Sequence, residues 1–196
     1  MTRRRLRVVA GRAGGLRLEV PPGDLVRPTT ERVREAVLGS LGAAVTGARV
    51  LDLFAGSGAL AIEALSRGAA TAVCVERERP VAAVVVRNLA HTGFADRARV
   101  VERAVTAFLG ADPPPEAPFT LVFCDPPYDL AAGAVDVVLA ALAAPGWCAP
   151  GATVVLERRT GTPEPTTPPG WEPTATRTYG DTLVERWSVG GSGSTP

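Results

Sequence analysis

The sequence predicts an α/β fold: a mostly parallel sheet with helices on both faces, closed by an antiparallel pair. Three observations carry this. From Arg49 onward, short apolar runs alternate with longer helical patterns. A glycine-rich turn, Gly56-Ser57-Gly58, joins the first run to the first of those helices. Two further runs, 174–179 and 183–189, flank Gly180-Asp181 as a hairpin.

The elements follow in order. Residues 5–20 alternate loosely, through Leu6, Val8, Leu16, Leu18 and Val20, around Gly14-Gly15, which predicts a β-hairpin. Pro21-Pro22-Gly23 ends it. Thr29 or Thr30 caps a helix over 30–42, whose Val33, Val37 and Leu41 recur at helical spacing, with Glu31 suiting the first turn. Strands are predicted at 50–54, 71–76, 98–102, 119–124 and 153–157. Helices lie between them: 59–67, stopped by Gly68; 80–92, opened by Pro80 and ended at Gly93; 106–109; and 131–143, ended by Pro145-Gly146. The Pro- and Thr-rich stretch 160–173 is a loop, and residues 190–196 a disordered tail. Residues 1–45 thus read as a basic hairpin-and-helix extension and 46–189 as one α/β domain.

Composition narrows the class. A chain of 196 residues with 46% apolar content suits one domain with a sizeable core. Its apolar runs are shorter than the roughly 20 residues that span a bilayer. Basic Met1-Thr2-Arg3-Arg4-Arg5 is followed by no long apolar stretch, so a secretory signal is not expected. Cys74, Cys124 and Cys148 lack metal-ligand spacing; the first two sit in apolar runs as small hydrophobes, in keeping with a reducing, cytoplasmic setting. All 21 basic residues are arginine, and nine fall in the first 34 positions. That excess reads equally as a phosphate-binding patch or as a solvated face. Trp147, Trp171 and Trp187 read as packing residues, and His91 as a helix-end residue.

The chemistry concentrates at two strand ends. Gly56-x-Gly58-x-x-Ala61 fits the fingerprint that lets an adenosine-type cofactor lie on bare backbone, and Glu76, twenty residues after Gly56, ends the next strand where it can accept ribose hydroxyls. The fingerprint alone admits either NAD or S-adenosylmethionine. Asp52 at the end of the first strand would repel a pyrophosphate and attract a sulfonium and an amino group, and bulky Phe54 departs from a phosphate cradle. Asp125-Pro126-Pro127-Tyr128 ends the fourth strand. Asp125 and the Pro126 carbonyl can accept both N–H groups of an exocyclic amine, Pro126 and Pro127 stiffen the loop, and Tyr128 offers a stacking face.

Together with Arg27-Pro28-Thr29-Thr30-Glu31-Arg32 and Glu63-Ala64-Leu65-Ser66-Arg67-Gly68, these blocks closely resemble the RsmD family of S-adenosylmethionine-dependent methyltransferases. The resemblance runs from about Arg7 to Trp187. It implies a Rossmann-like, seven-stranded, mostly parallel sheet with an antiparallel last strand. It implies methylation of a guanine N2 amine in 16S ribosomal RNA, naked or within an assembling small subunit, by a metal-free monomer. Asp52, Gly56 and Gly58 would meet the methionine part and Glu76 the ribose, with Phe54, Ser57, Arg77 and Asp125 around the same pocket and the Ala104 amide on adenine. Arg103 departs from the acid or amide usual nearby. Arg3, Arg4, Arg5, Arg7, Arg12, Arg27, Thr30 and Arg34 are the RNA-binding candidates, though Arg27 and Thr30 could equally pin the helix. The rival readings are another nucleic-acid amino-methyltransferase, acting on DNA adenine N6 or a different RNA; a non-catalytic nucleotide- or RNA-binding module; and an NAD-dependent dehydrogenase.

Overall fold

The computed structural model describes residues 6–21, 31–127, 130 and 133–190. Nine strands and five α-helices follow one another: β1 (Leu6–Arg7), β2 (Arg17–Leu18), α1 (Glu31–Leu41), β3 (Arg49–Leu53), α2 (Ala59–Ser66), β4 (Thr71–Glu76), α3 (Arg79–Thr92), β5 (Ala98–Glu102), α4 (Val105–Leu109), β6 (Phe119–Cys124), α5 (Ala134–Leu142), β7 (Cys148–Arg159), β8 (Trp171–Tyr179) and β9 (Thr182–Val189). Among the described residues β1 and β2 pair only with each other; the rest form a seven-stranded sheet in the order β5-β4-β3-β6-β7-β9-β8. β9 alone runs against its neighbours, inserted between β7 and β8.

Burial explains the order. Val50, Leu51, Val73, Val75, Leu121 and Val122 are all fully buried, as expected for central parallel strands covered on both faces. One face packs against α1, α2 and α3, the other against α4 and α5. Val33, Val37 and Leu41 are buried as their spacing predicts. Trp147, Trp171 and Trp187 are core residues of the α4–α5 face; Trp171 and Trp187 stand 6.4 Å apart, and Trp147 meets Phe108 edge-on at 5.2 Å. Cys74 and Cys124 are buried among apolar neighbours, which pushes both thiols well up.

Two expectations shift. β7 spans twelve residues rather than five, because Gly151 at φ 76° lets the strand pass an irregularity opposite β6 instead of ending there. Among the described residues the N-terminal hairpin has two ladder pairs, Leu6 with Leu18 and Arg7 with Arg17, and a last cross-link from the Val8 amide to the Leu16 carbonyl at 2.9 Å. The amides that follow are taken elsewhere. Val9 N and Ala10 N donate to the two oxygens of Glu63 at 2.7 and 3.0 Å, and Ala13 N donates to Ser66 Oγ at 2.9 Å. Gly11 closes the fit: at φ 83°, an added Cβ would stand 2.0 Å from the Ser66 carbonyl oxygen. The extension therefore docks on α2, and its Leu6, Val8, Ala13 and Leu18 join the core under α1–α3.

Candidate active site

The chain steps outward from β3 through β4 to β5, then returns to lay β6 on the other side of β3. The crevice above the carboxyl ends of β3 and β6 is the switch point where ligands of open α/β sheets bind. Asp52, Phe54, Glu76 and Asp125 all belong to strand ends or turns on this edge.

The turn after β3 is held in an unusual path. Phe54 (φ 61°), Gly56 (φ 57°) and Gly58 (φ 77°) all take left-handed conformations. That is strained for a phenylalanine, and packing of Phe54 against the core on the α4–α5 face offsets it. An added Cβ on Gly58 would stand 2.8 Å from Val85 Cγ1, so the start of α2 meets α3 without a side chain between them. The Gly56 amide donates to Glu76 Oε2 at 3.0 Å, and the Glu78 amide to Glu76 Oε1 at 3.0 Å. Glu76, expected to meet a ribose, also fastens the turn, and each oxygen keeps a second lone pair for a ribose hydroxyl.

Asn88 is a positioning residue the sequence reading passed over. Nearly fully buried in α3, it donates from Nδ2 to the Ser57 carbonyl at 2.9 Å and to the Glu19 carbonyl at 2.9 Å, and its Oδ1 accepts the Glu19 amide at 2.8 Å. It ties the glycine turn to the N-terminal extension. The available signal was the helical spacing of Asn88 from Val81, Val84 and Val85, which places an amide on the apolar face of this helix, because a buried amide must find partners.

Asp52 is 1% exposed and accepts the Ala61 amide at 3.1 Å. Burial holds its carboxyl well above the usual carboxylate range, and the charges of Asp125 and Glu76 push it further up. A buried acid facing two further acids is a site for a cationic group, which matches the ammonium of a methionine moiety better than a pyrophosphate. Asp125 lies two positions beyond Phe123, the residue paired with Asp52. Strand spacing then puts the two Cα atoms about 8 Å apart. Pro126 is buried, and among the described residues no N–H donates to its carbonyl. The Pro127 carbonyl, by contrast, accepts the Leu130 amide at 3.0 Å. The Ala104 amide at the start of α4 likewise has no acceptor among the described residues, whereas Arg103 N donates to the Glu76 carbonyl at 3.0 Å. Arg77 is exposed and pairs with Glu78 at 2.9 Å.

The arginine candidates divide. Arg3, Arg4, Arg5, Arg27 and Thr30 lie outside the described residues, as does Tyr128. Arg7 is on the surface and pairs with Glu31 at 3.1 Å. Arg12 is exposed, but beside Ser66 and over the Phe94 ring at 6.0 Å, at the amino-terminal edge of the sheet and away from Asp125. Arg34 requires a correction. It is fully buried, its Nη2 donates to the Arg7 carbonyl at 2.6 Å, and the charges of Glu63, Glu31 and Glu157 act on it. It is a core residue that fastens the extension, not a surface contact for RNA.

Comparison with known proteins gives the family. Residues 6–188 match the family described as conserved hypothetical protein 95. Over 166 residues the chain is 39% identical to ribosomal RNA small subunit methyltransferase D of Escherichia coli (strain K12), covering 85% of this chain and 81% of that one. The chain belongs to the RsmD family. The RsmD relative of Haemophilus influenzae is 31% identical over 167 residues, 85% of this chain and 84% of its own. A solved structure of a putative methyltransferase from Escherichia coli superposes with a TM-score of 0.84 at 33% identity, covering 96% of this chain and 99% of that one. As an RsmD-family member the chain is a methyltransferase, and its sheet order and reversed β9 are those of the fold expected for it.

Proposed function

We propose that Asp125 and the Pro126 carbonyl hold the exocyclic N2 amine of a guanine in 16S ribosomal RNA for methylation. The observation that carries the reading is the placement of Asp125 and the open Pro126 carbonyl one strand from the buried Asp52, across the switch point. S-adenosylmethionine, when bound, supplies a methyl group on a positively charged sulfur. Asp52 offers its carboxylate to the methionine ammonium, the Gly56–Gly58 turn lays bare backbone beneath it, and Glu76 and the Ala104 amide serve ribose and adenine.

The guanine amine is a poor nucleophile because its lone pair is conjugated into the ring. Asp125 and Pro126 O accept hydrogen bonds from its two N–H groups and turn the lone pair out of conjugation, and the Asp125 carboxylate is placed to receive the one proton that the methylated nitrogen sheds. Asp125 also stabilises the positive charge that develops on nitrogen, in a site where neither proline presents a competing N–H. Tyr128, assigned from its place in the sequence, stacks on the base for about 1–3 kcal/mol. Positioning supplies most of the remaining acceleration. The base must stand free of a helix to reach this edge.

The test is Asp125→Ala, assayed by transfer of labelled methyl to small-subunit RNA and by calorimetry with S-adenosylhomocysteine. Turnover should fall by about 10²–10³, the usual cost of deleting one preorganised polar group that stabilises charge in the transition state, while ligand affinity stays within a few-fold. A variant that methylates at wild-type rates would remove Asp125 from the reaction.

A further inference from the structure

Away from the catalytic edge, α1 and the β8–β9 pair bound a shallow, solvent-open recess. Its floor is apolar, from Val37, Val155 and Val184; its rim carries Tyr179, Arg177 and Arg186. The ladder puts all of these strand residues on one face, because Val155 pairs with Arg186, Arg177 with Val184, and Tyr179 with Thr182.

Some exposed arginines are matched with carboxylates, as Arg7 is with Glu31, Arg87 with Glu19, and Arg99 with Glu116; the two on this rim are not. Arg177 is exposed and has no carboxylate partner among the described residues. Arg186 Nη1 donates only to neutral oxygens of Ser40, at 3.2 Å to the carbonyl and 3.4 Å to Oγ, so its charge is oriented but not neutralised. An apolar floor, an aromatic ring and two uncompensated guanidinium groups suit a nucleotide: a base has a flat apolar face, and a phosphate takes arginine bidentately.

Its position links the recess to the reaction. Cys124 is level with Leu156, so Asp125 is level with Glu157; Glu157 pairs with Val184, and Val184 with Arg177. Arg177 thus stands level with Asp125, three strands across, about 14 Å away at the usual strand spacing. We propose that this recess binds a nucleotide of the RNA strand flanking the target guanine, a second anchor that holds the substrate while its base occupies the catalytic edge. The inference rests on the RNA substrate proposed above.

Arg177→Gln, alone and combined with Arg186→Gln, tests it. A fluorescein-labelled single-stranded RNA is titrated by anisotropy across a salt series. Methyl transfer to small-subunit RNA and melting with S-adenosylhomocysteine are measured in parallel. Each arginine removed should raise Kd about fourfold near 150 mM salt and reduce the slope of log K against log salt by about 0.7, with ligand-stabilised melting unchanged. With 4-thiouridine in the RNA, photo-adducts should fall on the tryptic peptide 178–186, which contains Tyr179. Wild-type slopes in the variants, with no adduct on that peptide, would overturn the recess while leaving methylation of small-subunit RNA by the wild type intact. Sedimentation showing a wild-type dimer that Arg177→Gln dissociates would assign the recess to a second copy instead and equally overturn it. Absence of methylation by the wild-type protein would remove the substrate reading and this inference with it.

Discussion

Glu63→Gln isolates the contact that fastens the N-terminal extension to the catalytic sheet. The Glu63 side chain is fully buried, and its carboxylate accepts three hydrogen bonds: Val9 N at 2.7 Å, Ala10 N at 3.0 Å and Arg67 Nε at 2.8 Å. Glutamine is almost isosteric, so it creates no cavity. It keeps one acceptor oxygen and replaces the other with an NH₂, which faces either the Val9 N–H or both the Ala10 N–H and the guanidinium. At least one donor is left without a partner, and the remaining bonds lose their charge assistance. Bonds to charged groups contribute about 1.5–3 kcal/mol and a stranded buried donor costs about 1–3 kcal/mol, so a net loss of about 3 kcal/mol follows. For a domain of this size that corresponds to a melting temperature roughly 6–12 °C lower. Calorimetry measures the shift, and amide exchange at Val9 and Ala10 locates it. A melting point within about 2 °C of wild type, with both amides still protected, would refute the idea that this carboxylate anchors the extension.

Asp52 and Arg34 give two further tests. The raised carboxyl of Asp52 means that the ligand-free native state holds a proton the unfolded chain has released. Wild-type stability therefore falls as pH rises from the ordinary aspartate range through the raised value, whereas affinity for a cationic ligand rises over the same window. Asp52→Asn should flatten that fall in melting scans and leave the ligand-free protein at least as stable at neutral pH. It should also weaken S-adenosylhomocysteine by about 10–100-fold, the equivalent of one charge-assisted bond; unchanged calorimetric affinity would remove Asp52 from the cofactor site. Arg34→Met should cost about 3 kcal/mol, because it strips the cation from buried acids, yet leave the salt slope of RNA binding at its wild-type value. A shallower slope would return Arg34 to the RNA surface.

The legible features were those encoded by local spacing. Val33, Val37 and Leu41 lie on one helical face whatever that helix packs against, and Gly56 and Gly58 permit their turn through their own missing side chains. Strand order around the switch point follows from the alternation of strands and helices, because right-handed crossovers leave few alternatives. The two pairs of the N-terminal hairpin were harder to foresee, since its alternating residues favour strand pairing while its amides find a stronger acceptor in Glu63, more than fifty positions away.

The sequence by itself determined the layered sheet, the glycine turn and the pair of acids at neighbouring strand ends, because hydrophobic period and backbone permissiveness act over a few residues. Only the tertiary structure decided what each charge does. Arg34 and Arg177 are the same residue type, yet one is buried among carboxylates and the other stands exposed on an apolar rim. A guanidinium's role depends on its desolvation and on which oxygens face it, and both are properties of residues that meet only when the chain has folded.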